Sequence, residues 1–403
     1  MTLDMQRPCV VTSSPRITRL CVVTPAHWRA FPGGAEFQVA CLLDALIPLK
    51  RHEIYYVAHR VTTDFRPDGY QIVGIGRNSA VRRFGYLADA LPLYRALREI
   101  HPDVIYQRVA CGDTGVAAYY ARRHGARLIW HISSDTDVIP ERLRGGSNFM
   151  RRCLEKRSIE YGIRHAHHVV AQSESQARLL ERNYGRTADA IIRNFHPQPG
   201  ETIDKTGPVS VVWVANLKPL KQPEVFVRLA EQLRDLAGVR FTMVGAPPVR
   251  EGQAWYDALV RSIRTMPNLE YLGQRTHGEI NQMLAHAHIF VNTSLHEGFP
   301  NTFIQAWMRE VPVVSLHIDP DGVLDREAVG VHAETEERLV QAVRMLVMDP
   351  VKRAEYAARA RKHAMLRHSM QNARLLVQLI DSGTIGTLAE NSLEHADPTR
   401  AAQ

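Results

Sequence analysis

The sequence predicts an α/β protein built from two Rossmann-like halves that face each other across a cleft. Three observations predict it. Short Val- and Ile-rich runs alternate with amphipathic stretches along most of the chain, as expected for repeated βαβ units and parallel sheets. A polar segment rich in Pro and Gly, "NFHPQPGETIDKTGP" at 194–208, breaks that rhythm in mid-chain, after which it restarts. At 403 residues, moreover, the chain is too long for one ordinary core.

In the first half the apolar runs place strands at 19–24, 54–59, 71–75, 103–108, 127–132 and 168–172, with helices at 34–48, 85–99 and 112–124 between them. The second half repeats the pattern, with strands at 209–214, 240–245, 269–273, 288–293 and 311–316. The expected organisation is a first domain over 1–195, a linker at 196–208 and a second domain over 209–365. A C-terminal helix at 366–381 then returns to the first domain. The polar stretch 382–403 is expected to be a disordered tail.

Composition fits a soluble globular protein, with 45% hydrophobic and 23% charged residues. The five cysteines are scattered without a CxxC pair, which points to a reducing compartment and away from a disulfide framework. No apolar run approaches the length of a membrane span, and the first 15 residues lack the core of a secretory signal. A cytoplasmic location is therefore expected, with peripheral contact to the inner membrane surface open. The net charge of +8 is uneven: residues 1–205 hold 29 Lys and Arg against 20 Asp and Glu, the remainder 21 against 22. For Arg82-Arg83 and the run 150–164, two readings stand: a surface for an acidic or membrane-bound partner, or a solvated helix face. Nucleic acid is not an expected partner, since no zinc knuckle, RNP-like strand or helix-turn-helix pattern is present.

Ligands of open α/β sheets bind outside the carboxyl ends of the strands, so chemistry is expected at strand ends lining the cleft. "LHEGFPNTFIQAW" (295–307) follows one such strand and passes into a helix near Pro300 to Thr302. The free N–H groups of Asn301 and Thr302 would face a phosphate with the positive end of the helix dipole. Glu297 stands before that point and Gln305 one turn inside, which suits a ligand with a phosphate at its middle and hydroxylated rings at both ends. A nucleotide sugar has that form; an N-capped core helix with an exposed glutamate is the alternative.

"EGFPNTFIQAWMREVPVV" resembles the signature of the retaining, GT-B-fold glycosyltransferases of family 4, in which two glutamates are separated by seven residues and followed by a small-residue turn and "PVV". The resemblance extends to about residue 381. It implies that Glu297 contacts the donor hexose and that the residue at 305 binds ribose. Gln305 stands where the family has its second glutamate, so any acceptor contact it makes lacks a charge-assisted component. In "VANLKPLKQPEVF" (214–226), Lys221 matches the family's diphosphate-binding lysine, Asn216 replaces the usual arginine, and Lys218 is the candidate substitute cation. The pair Gly33-Gly34 resembles the family's glycine-rich loop at the donor phosphate. His131 ends a strand where the family often places a His-Asp pair at the reaction centre, with Asp135 as its displaced partner or an unrelated residue. Arg108 closes a strand and either holds an acidic acceptor or pairs with a neighbouring carboxylate. By the same resemblance, turns at Gly245 and Gly273 line the nucleotide pocket.

There is no Walker lysine loop, GxSxG elbow or HExxH. Asp135 and Asp137 have DxD spacing but lie in the wrong half for a donor metal, so neither a metal nor another cofactor is expected. The expected function is transfer of a hexose-type sugar from a nucleoside diphosphate donor to a hydroxyl of a glycan or lipid-linked acceptor. Two alternatives remain open: a degenerate nucleotide-sugar-binding protein, suggested by Asn216 and Gln305, and a GT-B-fold epimerase.

Overall fold

The computed structural model describes residues 17–31, 33–76, 86–140, 149–248 and 252–384. Arg82-Arg83, the side chains at the start of the 150–164 run and the tail from 385 lie outside the described residues.

The first half forms one parallel sheet of seven strands: β1 (Thr18–Ala26), β2 (His52–Arg60), β3 (Gln71–Gly74), β4 (Val104–Arg108), β5 (Arg127–His131), β6 (His168–Ala171) and β7 (Ala190–Ile191), in spatial order β3-β2-β1-β4-β5-β6-β7. The second half forms a parallel sheet of six: β8 (Val209–Val214), β9 (Val239–Val244), β10 (Leu269–Tyr271), β11 (Ile289–Asn292), β12 (Val313–Ser315) and β13 (Gly330–His332), in order β10-β9-β8-β11-β12-β13. Each order reverses direction beside its first strand, between β1 and β4 and between β8 and β11. Loops leaving these strands therefore splay apart and open a crevice there.

Both sheets are covered on both faces, so their central strands read as continuous apolar runs rather than alternating ones. One apolar cluster packs Cys21, Val23, Ile105 and Trp130 under one face of the first sheet, and another sets Leu20, Val22, Tyr56 and Ile129 against the other. The second sheet repeats this, with Trp213, Phe241 and Val291 on one side and Phe290, Phe303 and Trp307 on the other. The pattern made most strands legible. β7 and β13, of two and three residues, were not anticipated.

The helical stretch 350–381 divides in two. Helix Pro350–Arg367 packs its Ala360 and Ala364 on the second domain, the chain turns at His368, and helix Gln371–Ser382 buries Leu376, Val377 and Ile380 beside helix Gly34–Leu46 of the first. Arg51 and His52 both bind Asp381 at 2.6 Å, tying this last helix to the start of β2. The return crossing runs alongside the outgoing one, where His196 N donates to His368 O at 2.9 Å. Farther along the linker, Lys205 reaches the carbonyls of Leu284 and Ala287, and burial there pushes its ammonium down to about 7. Among the described residues no helix is long and apolar enough to cross a membrane.

Candidate active site

The loops that leave β8 and β11 carry the residues expected to hold a diphosphate, and the topology brings them together at the second sheet's switch point. After β8 the chain makes a single turn at Pro219–Lys221, followed by Gln222 with φ of 46°. Thr293 Oγ1, just past β11, lies 2.6 Å from Lys221 O and 2.9 Å from the buried Trp213 Nε1, so that turn is fixed to the end of β11. The same anchorage sets Lys221 beside Glu297, whose carboxylate it pairs with. Ser294 Oγ donates to that carboxylate at 2.8 Å.

Helix Asn301–Met308 begins after Pro300, which caps it without a side-chain bond. Its first N–H groups have no intrahelical acceptor, and Asn301 and Thr302, which carry them, line the pocket. The Asn301 side chain faces the first domain: Nδ2 donates to Gly34 O at 2.9 Å and Oδ1 accepts from Gln38 Nε2 at 3.0 Å. Gly34 allows that approach, since a methyl group there would lie 2.9 Å from Asn301 Nδ2. Gln305 is 2% exposed and donates from Nε2 to Asn281 Oδ1 at 2.9 Å, which leaves its carbonyl oxygen and its second amide hydrogen for a ligand.

One pocket thus gathers Glu297, Lys221, Lys218, Asn216, Asn301, Thr302, Gln305, Gly245 and, from the first domain, Gly33 and Gly34. Gly245 is required by a close approach: a β-carbon there would sit 1.8 Å from Ala215 O. Gly273 does not line the pocket but supports it, its carbonyl accepting from Gly245 N at 3.0 Å and its φ of 71° fitting a glycine turn. Lys218 is exposed and forms no ion pair among the described residues.

Three other candidates sit elsewhere. His131, expected to face the reaction centre, is instead fully buried at the end of β5, with Nδ1 2.9 Å from Tyr106 Oη. Burial, reinforced by Arg108, holds its imidazole well below the ordinary range and therefore neutral. Arg108, expected to project into the cleft, is also fully buried, because β4 lies in the middle of the sheet; it donates to Asn194 Oδ1 at 3.2 Å rather than to a carboxylate. Asp135 is half-buried and accepts from Gln176 Nε2 at 3.0 Å; burial raises its carboxyl, and it feels Asp321 and His296 of the facing domain. Its neighbour Asp137 has a local role, accepting from Ser133 N, Ser133 Oγ and Ser134 N.

The sequence reading missed Arg275, His277 and Ile280, which line the pocket beyond Gly273, and the buried Glu36 beside Gly33. Arg275 follows Gly273 by two residues at a strand end, a position that could have marked it. His277 carried no such signal, because it comes into place by stacking on Phe37 of the first domain at 4.6 Å. Away from the pocket, ligand atoms of Asp319, Asp325 and His332 lie within 4.8 Å of one another, but both carboxylates already accept backbone N–H groups, of Leu324 and His332.

Other bonds hold the two domains together around this pocket. Asp321 of the second domain accepts from Glu174 N, Ser175 N and Ser175 Oγ at the start of helix Glu174–Tyr184. Asn194 Nδ2 donates to Phe299 O at 3.0 Å, and a side chain at Gly298 would meet Ser133 and Ser134.

Comparison with known proteins accords with this geometry. Residues 32–194 match the family described as Glycosyltransferase Family 4, and residues 208–349 match Glycosyl transferases group 1. Each half thus matches a glycosyltransferase family model. Its two domains are those of the GT-B fold: HepE of Anabaena, solved in complex with UDP and glucose, superposes with a TM-score of 0.70 at 17% identity over 91% of this chain and 100% of that one. WaaG, a glycosyltransferase involved in lipopolysaccharide biosynthesis, gives 0.72 at 13% identity over 91% and 100%. A curated relative, the D-inositol 3-phosphate glycosyltransferase of Rhodococcus opacus (strain B4), is 25% identical over 49% of this chain. That match spans 49%, about half, of the relative's own length. The chain departs from the resembled signature at Gln305, whose amide donates to Asn281.

Proposed function

We propose that the protein transfers a hexose-type sugar from a nucleoside diphosphate donor to a hydroxyl of a glycan or lipid-linked glycan, with retention of anomeric configuration and without a metal. The observation that carries this reading is the convergence of Glu297, Lys221, Gln305 and the start of helix Asn301–Met308 on one pocket. Lys221, Lys218 and the N–H groups of Asn301 and Thr302 take the diphosphate and stabilise it as it leaves. Glu297 orients the hexose, and Gln305 accepts from a ribose hydroxyl through its carbonyl. HepE supports a UDP-type donor, having been solved with UDP and with UDP-glucose. The departing phosphate, on the same face of the sugar, takes the acceptor proton, so no protein nucleophile is needed. The acceptor lies on the first domain, at the inner membrane surface when it is lipid-linked.

A second reading, nucleotide-sugar binding without transfer, is favoured by Asn216 at the place of a diphosphate cation. The two separate on release of nucleoside diphosphate from a panel of UDP-, GDP- and ADP-sugars, with a membrane-lipid extract as acceptor and Glu297→Ala as control. Release that needs both acceptor and Glu297 supports transfer. Donor binding without release supports the second reading.

A further inference from the structure

The loop that supplies Gly33 and Gly34 to the donor pocket begins at His27, where β1 ends, and its first half carries a different chemistry. Trp28, Phe31 and, from the segment after β2, Phe65 form a half-buried aromatic surface at the carboxyl ends of β1 and β2. None of the three lines the donor pocket. Trp28 and Phe65 meet edge to face at 5.7 Å. Tyr70 locks the base of the cluster, its hydroxyl lying 3.1 Å from Trp28 Nε1 and 2.9 Å from His27 Nε2.

Two exposed arginines lie on these rings. The Arg29 guanidinium stacks 4.6 Å from the Trp28 ring and 4.8 Å from Phe65, and Arg60 lies 4.9 Å over Phe31. Neither forms an ion pair among the described residues. Glu36 lies within electrostatic reach of Arg60, but burial outweighs that attraction and raises its carboxyl, which weakens it as a counter-ion. A guanidinium resting over a ring keeps its N–H groups free for in-plane, bidentate contact with a carboxylate or phosphate. The rings beneath support the guanidiniums at the surface, next to the loop that brings Gly33 and Gly34 to the donor pocket.

We infer that this aromatic and arginine surface is a binding site for an acidic glycan, a carbohydrate whose carboxylate or phosphate is read by Arg29 and Arg60 on their aromatic supports. The site adjoins the donor pocket: Arg29 is four residues from Gly33, at most ~14 Å of extended chain, and Phe31 Cε1 lies 2.9 Å from where a Gly33 β-carbon would be. Its role as the acceptor seat rests on the transfer reading above; its capacity to bind an acidic sugar does not.

The test is equilibrium binding by NMR titration of the full chain, without donor, against three probes: a glucuronate-containing tetrasaccharide, a phosphorylated tetrasaccharide and neutral maltotetraose. An acidic probe should bind at least about tenfold more tightly than the neutral one and weaken as salt is raised. The two acidic arms show which oxyanion is preferred. Arg29→Gln combined with Arg60→Gln should lower acidic-probe affinity by about tenfold or more, and Arg29→Lys with Arg60→Lys should recover part of it. UDP affinity of the same variants checks that the donor pocket is intact. Equal binding of neutral and acidic probes, acidic binding that survives loss of both guanidiniums, or no acidic binding at all would each overturn the inference. Because no donor is present, failed sugar transfer would leave this result standing.

Discussion

Lys221 and Glu297 form an ion pair across the mouth of the donor pocket, joining the turn after β8 to the loop ahead of helix Asn301–Met308. Each is about one-fifth exposed, so the pair is neither a screened surface contact nor a fully desolvated one. A donor that places phosphate on Lys221 and hexose on Glu297 has to separate them. In the proposed reaction the donor therefore replaces this pair.

Glu297→Ala should accordingly separate binding from turnover. Lys221 loses a competitor for phosphate, so nucleoside diphosphate affinity should stay level or rise. Turnover should fall by about 10²-fold or more, as when an oriented polar contact made in the transition state is removed. Calorimetry with UDP and acceptor-dependent release from UDP-glucose read the two quantities. A parallel loss of both would mean that Glu297 serves only to build the pocket.

The Gln305–Asn281 bond makes a second prediction. With one Nε2 hydrogen on Asn281, the Gln305 amide is held in place and keeps its carbonyl as an acceptor for the ligand. Asn281→Leu removes that restraint and leaves the amide without its partner, which should weaken nucleotide binding by about 1–2 kcal/mol. Gln305→Glu should strengthen it, because a carboxylate accepts a hydroxyl about twice as strongly, and Asn281 can turn its own amide to donate. If UDP affinity is the same in both variants, the ribose does not touch residue 305.

The glycines divide by what stands opposite them. At Gly245 an added methyl meets the backbone of Ala215, which cannot move without disturbing β8, so Gly245→Ala should cost about 1–3 kcal/mol of stability and abolish donor binding. At Gly34 the obstacle is the end of the Asn301 side chain, which can swing away. Gly34→Ala should keep near-normal stability while breaking the Asn301 bond across the cleft. Urea midpoints and UDP affinity measured on both variants distinguish the cases.

Most of the architecture was legible because a parallel sheet covered on both faces writes its strands as unbroken apolar runs, and because "NFHPQPGETIDKTGP" interrupts them only once. The pocket residues on the second domain were legible for a related reason: phosphate sites form where a strand ends and a helix begins, and both signals are local. His131 and Arg108 show where that reasoning stops. Both close strands, as expected, but β4 and β5 are interior, and a side chain at the end of an interior strand can turn under the loops that cover it. Phe37 and His277, 240 residues apart in sequence, meet only through domain closure, and no local pattern encodes that.

The crossover between domains should make the fold sensitive to acid. His196 and His363 are held down to about 4 by burial, and His368, fully buried between them and the Phe299 and Trp307 rings, is also lowered. Unfolded, each would titrate near the ordinary 6.5. Below the unfolded value the unfolded chain binds protons that the folded chain refuses, so stability is full above pH 6.5 and declines as pH falls toward 4, by on the order of 3 kcal/mol each for His196 and His363 fully titrated, with His368 adding in the same direction. His363→Phe keeps a ring against Trp307, 5.3 Å away, but has nothing to protonate. Its urea midpoint should match wild type near pH 7.5 and exceed it near pH 4.5. Parallel curves would show that His363 is protonated in the folded protein too and that the acid loss arises elsewhere.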